Sequence, residues 1–396
     1  MLGPYLRVLR TPGYRASFLL GLSAALPIGM VGLALLLTAQ QRSGSIAQAG
    51  LIPAAFGLGN AMGLLLQGRL IDQFGQARVL IPASLLCSIT MAAGVLPVWQ
   101  DTFALAGSAL LAGVAFPATI SSMRVLTADL ITDPQLRMSG YALLAVSFGL
   151  AMVAGPLLAS ALIAVSTPAT AVLVAALVVG AGGLGFALTP ASRGWQPGAA
   201  PEGNRLGVPA GLSTLVVANI ALGFSGGVVA VALPAAALAQ GAGAVAGIGF
   251  AARSVGDLAG GLAYGVIRWR STKVRQLIVS LAAATGASWF AAPVTGSLPA
   301  LFCVLLIGGA ASAAISVACS ALLDDVAPAS SLTTAYTLMV GIGLVANAAG
   351  NAVAGLVADR AGAAWAFTVA AAAVTAAVGW IWLRRRTLAQ PAAAGR

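Results

Sequence analysis

Long uninterrupted apolar stretches recur along the whole chain, and they constrain its fold more than any other feature. Each stretch has roughly eighteen or more residues, which is enough for a helix to cross the hydrocarbon core of a bilayer. Only 7% of the 396 residues are charged, whereas about a quarter of the residues in a soluble domain are charged. The stretches do not alternate apolar and polar residues as membrane strands do. The sequence therefore predicts an all-α membrane protein.

Twelve transmembrane helices account for these stretches. The predicted spans are 18–38, 46–71, 79–98, 102–129, 138–165, 168–190, 209–238, 243–267, 273–294, 298–325, 332–358 and 362–383. With a cytoplasmic N-terminus, seventeen of the twenty Lys and Arg residues lie on the cytoplasmic side, Arg42 and Arg360 lie outside, and Arg253 lies within a span. This positive-inside pattern predicts a multi-pass protein with both termini cytoplasmic, which we expect in a bacterial cytoplasmic (inner) membrane.

The spans divide into two halves. The longest connection, "ASRGWQPGAAPEGNRLGV" at 191–208, is rich in Pro, Gly and Ala and lies near the middle of the chain. An internal repeat accompanies it: a shift of 194 residues places Pro134 on Pro328 and Gly149 on Gly343. The sequence thus predicts an N-terminal six-helix bundle (1–190), a cytoplasmic linker (191–208) and a pseudo-symmetric C-terminal six-helix bundle (209–396).

The loop between spans 2 and 3 reads "GRLIDQFGQARVL", residues 68–80. It resembles the signature loop of the major facilitator superfamily, G-x-L-a-D-r-x-G-r-k-x-x-L. The positions that match in register are Gly68, Leu70, Asp72, Gly75 and Leu80. The residues at these positions suit such a loop. Gly68 permits close helix approach, Gly75 permits a tight turn, and Asp72 is able to accept hydrogen bonds. The resemblance implies the major facilitator fold and a loop that latches the cytoplasmic side.

The basic positions of the signature differ in this chain. Gln73, Gln76 and Ala77 stand where Arg or Lys is usual, and Arg78 comes one position later. We expect Arg137, at the start of span 5, as a partner of Asp72. An ordinary two-helix turn with a capping Asp is the alternative.

A second resemblance lies in span 5. "GLAMVAGPLLASAL", residues 149–162, resembles the antiporter motif of the same superfamily, with Gly155 and Pro156 matching and Ala159 and Ser160 replacing glycines. In that superfamily the motif accompanies export. Ala109 stands in span 4 where drug–proton antiporters of this superfamily often have Arg, which weakens the transfer of their proton mechanism to this chain.

Polar side chains near the middle of the spans mark a candidate substrate and proton site. They are Asn60 (span 2), Asn219 (span 7), Arg253 and Asp257 (span 8), and Asn347 and Asn351 (span 11). The major facilitator fold places spans 1, 2, 4, 5, 7, 8, 10 and 11 around a central cavity. All six residues lie in this set, as expected for polar groups that face an aqueous interior.

Arg253 and Asp257 lie four residues apart, so they share a helix face and are able to pair. One interpretation is that they bind a proton or substrate, since Asp257 is the only carboxylate deep in any predicted span. The other is that the pair locks span 8 to a neighbouring helix. For the Asn residues the corresponding alternative is helix–helix hydrogen bonding.

These features predict a secondary active transporter that works by alternating access, most simply a proton-coupled exporter of a small amphipathic organic molecule. An uptake carrier or facilitator of the same fold is the alternative, and a non-transporting membrane sensor or scaffold is a more remote one. ATP does not drive it directly, because no Walker motif is present. The absence of His and of paired intramembrane carboxylates argues against an enzyme, and the three cysteines lack metal-site spacing. We expect no cofactor, no metal, no nucleic-acid partner and a monomer in the lipid bilayer.

Overall fold

The computed structural model describes residues 3–96, 101–196, 210–267, 269–326 and 332–388. Helices make up nearly all of these ranges, and no residue within them forms a strand. The all-α fold predicted from the sequence is therefore confirmed. The chain divides into two compact units, which we call unit 1 (Met1–Arg42 and Ala55–Pro201) and unit 2 (Ser43–Ala54 and Glu202–Arg396).

The bundle boundaries stay predictions, because residues 197–209 of the linker lie outside the described ranges. The sequence did not indicate that residues 43–54, which contain the first turns of the second predicted span, group with unit 2. The helix that begins in this segment therefore contributes its first turns to one unit and the rest to the other.

Ten helices, α1 to α10, cover the N-terminal half of the chain. They are α1 (Gly3–Arg10), α2 (Tyr14–Ala25), α3 (Pro27–Ser43), α4 (Ile46–Phe74), α5 (Gln76–Gly94), α6 (Thr102–Ala115), α7 (Thr119–Leu130), α8 (Pro134–Val165), α9 (Pro168–Leu188) and α10 (Pro190–Gly194). Two predicted spans are interrupted. Span 1 is divided into α2 and α3 before Pro27, and span 4 is divided into α6 and α7 around Pro117. Proline lacks an N–H and its ring clashes with the preceding turn, which favours a break at these positions.

Six longer helices follow in unit 2. They are α11 (Ala210–Ala239), α12 (Ala246–Val266), α13 (Lys273–Ala291), α14 (Leu298–Val326), α15 (Leu332–Ala361) and α16 (Ala363–Arg384). Fully buried apolar side chains such as Leu215, Leu277 and Ile381 form its core, while Tyr14, Leu80 and Phe186 belong to the core of unit 1. Close packing of such side chains stabilises each unit through dispersion contacts.

Ten stretches in the described part of the chain are long and apolar enough to span a membrane. They match ten of the twelve predicted spans, with α2–α3 and α6–α7 counting as one each. The two exceptions are helical but less apolar. α12 carries Arg253 and Asp257 together with several glycines, and α13 begins with Lys273, Arg275 and Gln276.

Arg42, one of the two basic residues predicted outside, caps a helix in unit 1. Its Nη1 donates to the Gly94 carbonyl at 3.1 Å, and its Nη2 donates to the Val95 carbonyl at 2.5 Å. These carbonyls lie at the C-terminus of α5, where the helix dipole favours a positive charge. Arg42, a predicted exception to the positive-inside pattern, thus has a structural role at this helix end.

Candidate functional site

The loop that resembles the superfamily signature forms the turn between α4 and α5. Gly75 has a φ of 86°, which glycine adopts without the strain that a side chain would add. Its N–H donates to the Ile71 carbonyl at 2.8 Å. The tight turn expected at Gly75 is present, whereas Asp72 and Arg78 are exposed and their gating role stays a prediction.

Two expectations about this loop are wrong. A Cβ on Gly68 would meet no neighbouring atom within 4 Å, so this glycine does not mediate close helix approach. Arg137 does not pair with Asp72. Its Nε donates to the Ile131 carbonyl at 2.9 Å and its Nη2 to the Thr132 carbonyl at 3.4 Å. The guanidinium therefore binds free carbonyls at the end of α7, which the helix dipole also favours.

Gln76, a departure from the signature, has a structural role that the sequence did not reveal. Its side chain is buried. Its Nε2 donates to the Ser122 carbonyl at 3.3 Å, and its Oε1 accepts from Ser192 Oγ at 3.2 Å. The residue thereby links the start of α5 to α7 and α10. A basic side chain here would have to bury its charge.

Gln67 bridges the break in span 4, and sequence reasoning also missed it. The buried Nε2 donates to the carbonyls of Val114 and Phe116, both at 2.9 Å. Its Oε1 accepts from the Ala118 N–H at 3.1 Å. A helix break inside a membrane domain leaves backbone groups without partners, and one amide side chain satisfies three of them here. The signal available in the sequence was a Gln within an apolar span opposite a Pro-containing one.

The span-5 motif forms a close helix contact within unit 1. A Cβ on Gly155 would lie 2.9 Å from Gly29 Cα and 2.9 Å from the Leu26 carbonyl oxygen. Only glycine lets α8 approach the α2–α3 junction this closely. Pro156 follows within the helix. The tight packing expected here is therefore present, and the association with export stays a prediction.

Three of the predicted site asparagines lie at the contact between α11 and α15 in unit 2. Asn347 Nδ2 donates to the Gly223 carbonyl at 3.3 Å, and Asn351 Nδ2 donates to Asn347 Oδ1 at 3.3 Å. Asn219 Oδ1 would lie 2.9 Å from a Cβ on Gly343. Among these contacts the Asn347–Gly223 bond joins α11 to α15, as in the alternative in which a membrane asparagine connects helices, whereas Asn347 and Asn351 both belong to α15. Asn351 Oδ1 is buried and accepts no hydrogen bond from a described residue.

The fourth asparagine, Asn60, lies in unit 1 at the contact of α4 with α6. A Cβ placed on Gly113 would lie 2.8 Å from the backbone nitrogen of Asn60, so the two helices approach closely there. Its Oδ1 is buried and accepts no hydrogen bond from any residue that the structure describes. An unsatisfied buried oxygen of this kind has the capacity to accept a bond from a ligand or water.

Arg253 and Asp257 do not form the ion pair that their spacing allows. Within the described ranges, the one ion pair joins Lys273 to Asp325 at 2.7 Å. Arg253 Nη2 instead donates to Ser312 Oγ on α14 at 3.4 Å. Gly309 brings the two helices together, because any Cβ on it would overlap the backbone of α12 at Arg253. Asp257 is half-buried and has no hydrogen bond to a described residue.

Asp359 forms a further polar contact that the sequence did not indicate. Its Oδ1 accepts from the Ile46 N–H at 2.8 Å and from Ser45 Oγ at 3.2 Å. The carboxylate thus caps the first turn of α4, where free N–H groups and the helix dipole favour a negative charge. Nearby, a Cβ on Gly50 would lie 3.0 Å from Gly355 Cα.

This fold defines a class of protein: a helical membrane protein with several spans and buried polar side chains. The family model described as Major Facilitator Superfamily matches residues 17–216, about half of the chain. The chain therefore belongs to the major facilitator superfamily. It is a multi-pass transporter of this fold and not an enzyme. No curated protein matches the sequence significantly.

Solved transporter structures share the fold across nearly the whole chain. A bacterial homologue of the iron transporter ferroportin, in an inward-facing state, has a TM-score of 0.75 at 15% identity, covering 95% of this chain and 99% of that one. The nucleoside transporter NupG has a TM-score of 0.73 at 13% identity, with 93% and 99% covered. A POT family transporter in complex with a thioalcohol-conjugated peptide has a TM-score of 0.71 at 12% identity, with 96% and 97% covered. At these identities the likeness concerns the fold alone.

Proposed function

We propose that this transporter is a monomer in a bacterial cytoplasmic membrane, with both termini cytoplasmic, that exports a small amphipathic organic molecule in exchange for protons. The mostly apolar spans with few polar anchors suit an amphipathic substrate. The motif at Gly155 and Pro156 supports export, and the lack of a Walker motif supports an ion gradient as the energy source.

The observation that carries proton coupling is the position of Asp257. It lies near the middle of α12, it is half-buried, and it has neither a hydrogen bond nor an ion pair with a described residue. A carboxylate held in a membrane span without a fixed partner is able to accept and release a proton as its surroundings change. We assign Asp257 as the proton carrier and Arg253 as the charge that tunes it.

The other predicted residues have supporting roles in this proposal. Asn60 and Asn351, each with a buried Oδ1 that no described residue bonds, contact the substrate, while Asn219 and Asn347 lie where α11 meets α15 and line the binding region. Asp72, Gly75 and Arg78 form the cytoplasmic latch in this proposal, while Arg137 holds the connection between α7 and α8.

The test compares Asp257→Asn with Asp133→Asn in proteoliposomes. A thermal-shift screen of an amphipathic compound library first identifies a substrate. We expect Asp257→Asn to abolish accumulation driven by a pH gradient but to retain substrate exchange, because exchange does not need net proton movement. Asp133, an exposed cap of α8, serves as the matched control, and its variant should transport normally.

A double variant distinguishes function from structure at this site. If the two charges only stabilise α12, then Arg253→Met/Asp257→Leu removes both together and should fold well and transport normally. Normal proton-coupled transport by this variant would overturn the assignment of Asp257. Substrate that moves in the same direction as the protons, instead of the opposite direction, would favour the uptake carrier.

A further inference from the structure

A small, partly open cavity lies between helices of unit 2 beside Arg253. Its volume is about 30 Å³, and helices α11, α12, α13, α14 and α16 all contribute to its wall. This volume holds about two water-sized spheres, since one sphere needs roughly 10–15 Å³. The wall is mostly apolar, and its polar side chains are Arg253, Ser225, Ser288 and Ser312.

The guanidinium of Arg253 is poorly matched by its surroundings. It has five N–H groups, and only Nη2 has a hydrogen bond, the 3.4 Å contact with Ser312 Oγ. No carboxylate is among the residues that line the cavity, which all belong to the described part of the chain. Asp257, one turn further along α12, is close enough to interact electrostatically, but its oxygens lie more than 4 Å from the guanidinium nitrogens.

The three serines differ in what they offer to the cavity. Ser288 Oγ donates to the Ala284 carbonyl and Ser312 Oγ donates to the Gly308 carbonyl, both at 2.9 Å. Their hydroxyl protons are therefore engaged within their own helices. Ser225 has no hydrogen bond to a described residue, so its hydroxyl is available as a donor. The cavity thus presents the N–H groups of a cation and one free O–H, surrounded by apolar carbon.

We propose that this cavity binds one small monovalent anion of halide size, held by the guanidinium of Arg253 and the hydroxyl of Ser225. Arg253 is half-buried beside a mostly apolar wall, and a partly desolvated cation is costly unless a counter-charge and hydrogen-bond acceptors accompany it. A halide supplies both within the available volume, whereas water supplies only the acceptors. This anion is separate from the amphipathic substrate and the proton of the proposed transport cycle.

The test measures anion binding to the purified full-length protein in nanodiscs. Sodium gluconate is replaced stepwise by sodium bromide at constant ionic strength, and the thermal unfolding midpoint is followed. We expect the midpoint to rise and saturate with bromide, and bromide to compete with chloride in broadening of the chloride NMR resonance. Because no substrate or gradient is present, the outcome is independent of the proposed transport activity.

Matched variants locate the site. Arg253→Gln should weaken bromide binding at least about tenfold, and Ser225→Ala about three- to tenfold, as each removes a hydrogen bond to an ion. Ser288→Ala should change binding less than about twofold, because its hydroxyl is engaged elsewhere. Arg275→Gln, at an exposed position on α13, controls for lost surface charge.

If Arg253→Gln does not fold, Gly308→Ala tests the cavity with the guanidinium intact. Its added Cβ would lie 3.6 Å from Ala287 Cβ, an ordinary contact, and would reduce the space for the anion. Binding should then weaken without loss of folding. Equal midpoints in gluconate and bromide, or equal effects of Ser225→Ala and Ser288→Ala, would overturn the proposal.

Discussion

Single polar side chains support the irregular parts of the helices in this transporter. Gln67 bonds three backbone groups at the break in span 4, Arg42 caps the end of α5, and Asp359 caps the start of α4. Each side chain satisfies backbone groups that a regular helix would pair internally. Gln67 is buried, where no bulk water replaces its bonds, so it has a larger effect on stability than the exposed Asp359.

Gln67→Leu should destabilise the protein strongly. Leucine has a similar size but leaves the carbonyls of Val114 and Phe116 and the N–H of Ala118 without this partner, at a cost of about 2–5 kcal/mol. The measurement is the thermal unfolding midpoint of the purified protein. Gln73→Leu, on the exposed face of the same helix, is the control and should change the midpoint little. Equal midpoints for the two variants would mean that water or local rearrangement provides hydrogen bonds to the backbone groups at the break.

Glycines determine how closely the helices approach one another. In unit 2, a Cβ on Gly227 would overlap the Asn347 carbonyl, and a Cβ on Gly350 would overlap the Phe224 carbonyl. α11 and α15 therefore meet at backbone distance, where dispersion and interhelical hydrogen bonds replace the hydrophobic driving force that lipid removes. The asparagine contacts described above depend on this close approach.

Gly227→Ala should separate α11 from α15 and lower the free energy of unfolding by about 1–3 kcal/mol, because the methyl group has no space. Gly341→Ala on α15 is a matched control, since its Cβ would meet no neighbouring atom within 4 Å. That change should be neutral or stabilising by about 0.5–1 kcal/mol, as a helix interior favours Ala over Gly. Chemical denaturation of both variants measures the difference, and similar losses in both would contradict the packing argument.

Charge distribution predicts the orientation of the whole molecule in the membrane. Cytoplasmic segments of a membrane protein carry the excess of Lys and Arg, and this chain has that excess on the side predicted for both termini. Arg42, one of its two predicted exceptions, caps a helix end. This cap gives the predicted exception a structural role, and the orientation stays a prediction.

Single cysteines test this orientation in intact cells after replacement of the three native ones. Gln41→Cys and Ala361→Cys should react with an impermeant thiol reagent added outside, whereas Gln73→Cys and Gln135→Cys should react only after permeabilisation. All four side chains are exposed, and these positions avoid Gly44, Gly75 and Gly362, whose positive φ values disfavour a side chain. Labelling of Gln73→Cys from outside would reverse the predicted topology.

The sequence by itself determined the helical membrane fold, ten of the spans by length and hydropathy, the turn at Gly75 and the close packing at Gly155. These features depend on local composition and on residues that suit few conformations. Apolar length sets a membrane span regardless of its neighbours, and glycine alone tolerates a positive φ or a backbone contact without cost.

Only the tertiary structure decided the partners of the polar side chains. The spacing of Arg253 and Asp257 predicts a pair, yet the guanidinium reaches Ser312 on another helix and a cavity beside it. Arg137 likewise binds loop carbonyls instead of Asp72. A long side chain selects among groups brought near by packing, and helix–helix approach depends on contacts between residues far apart in the sequence, which local patterns do not specify.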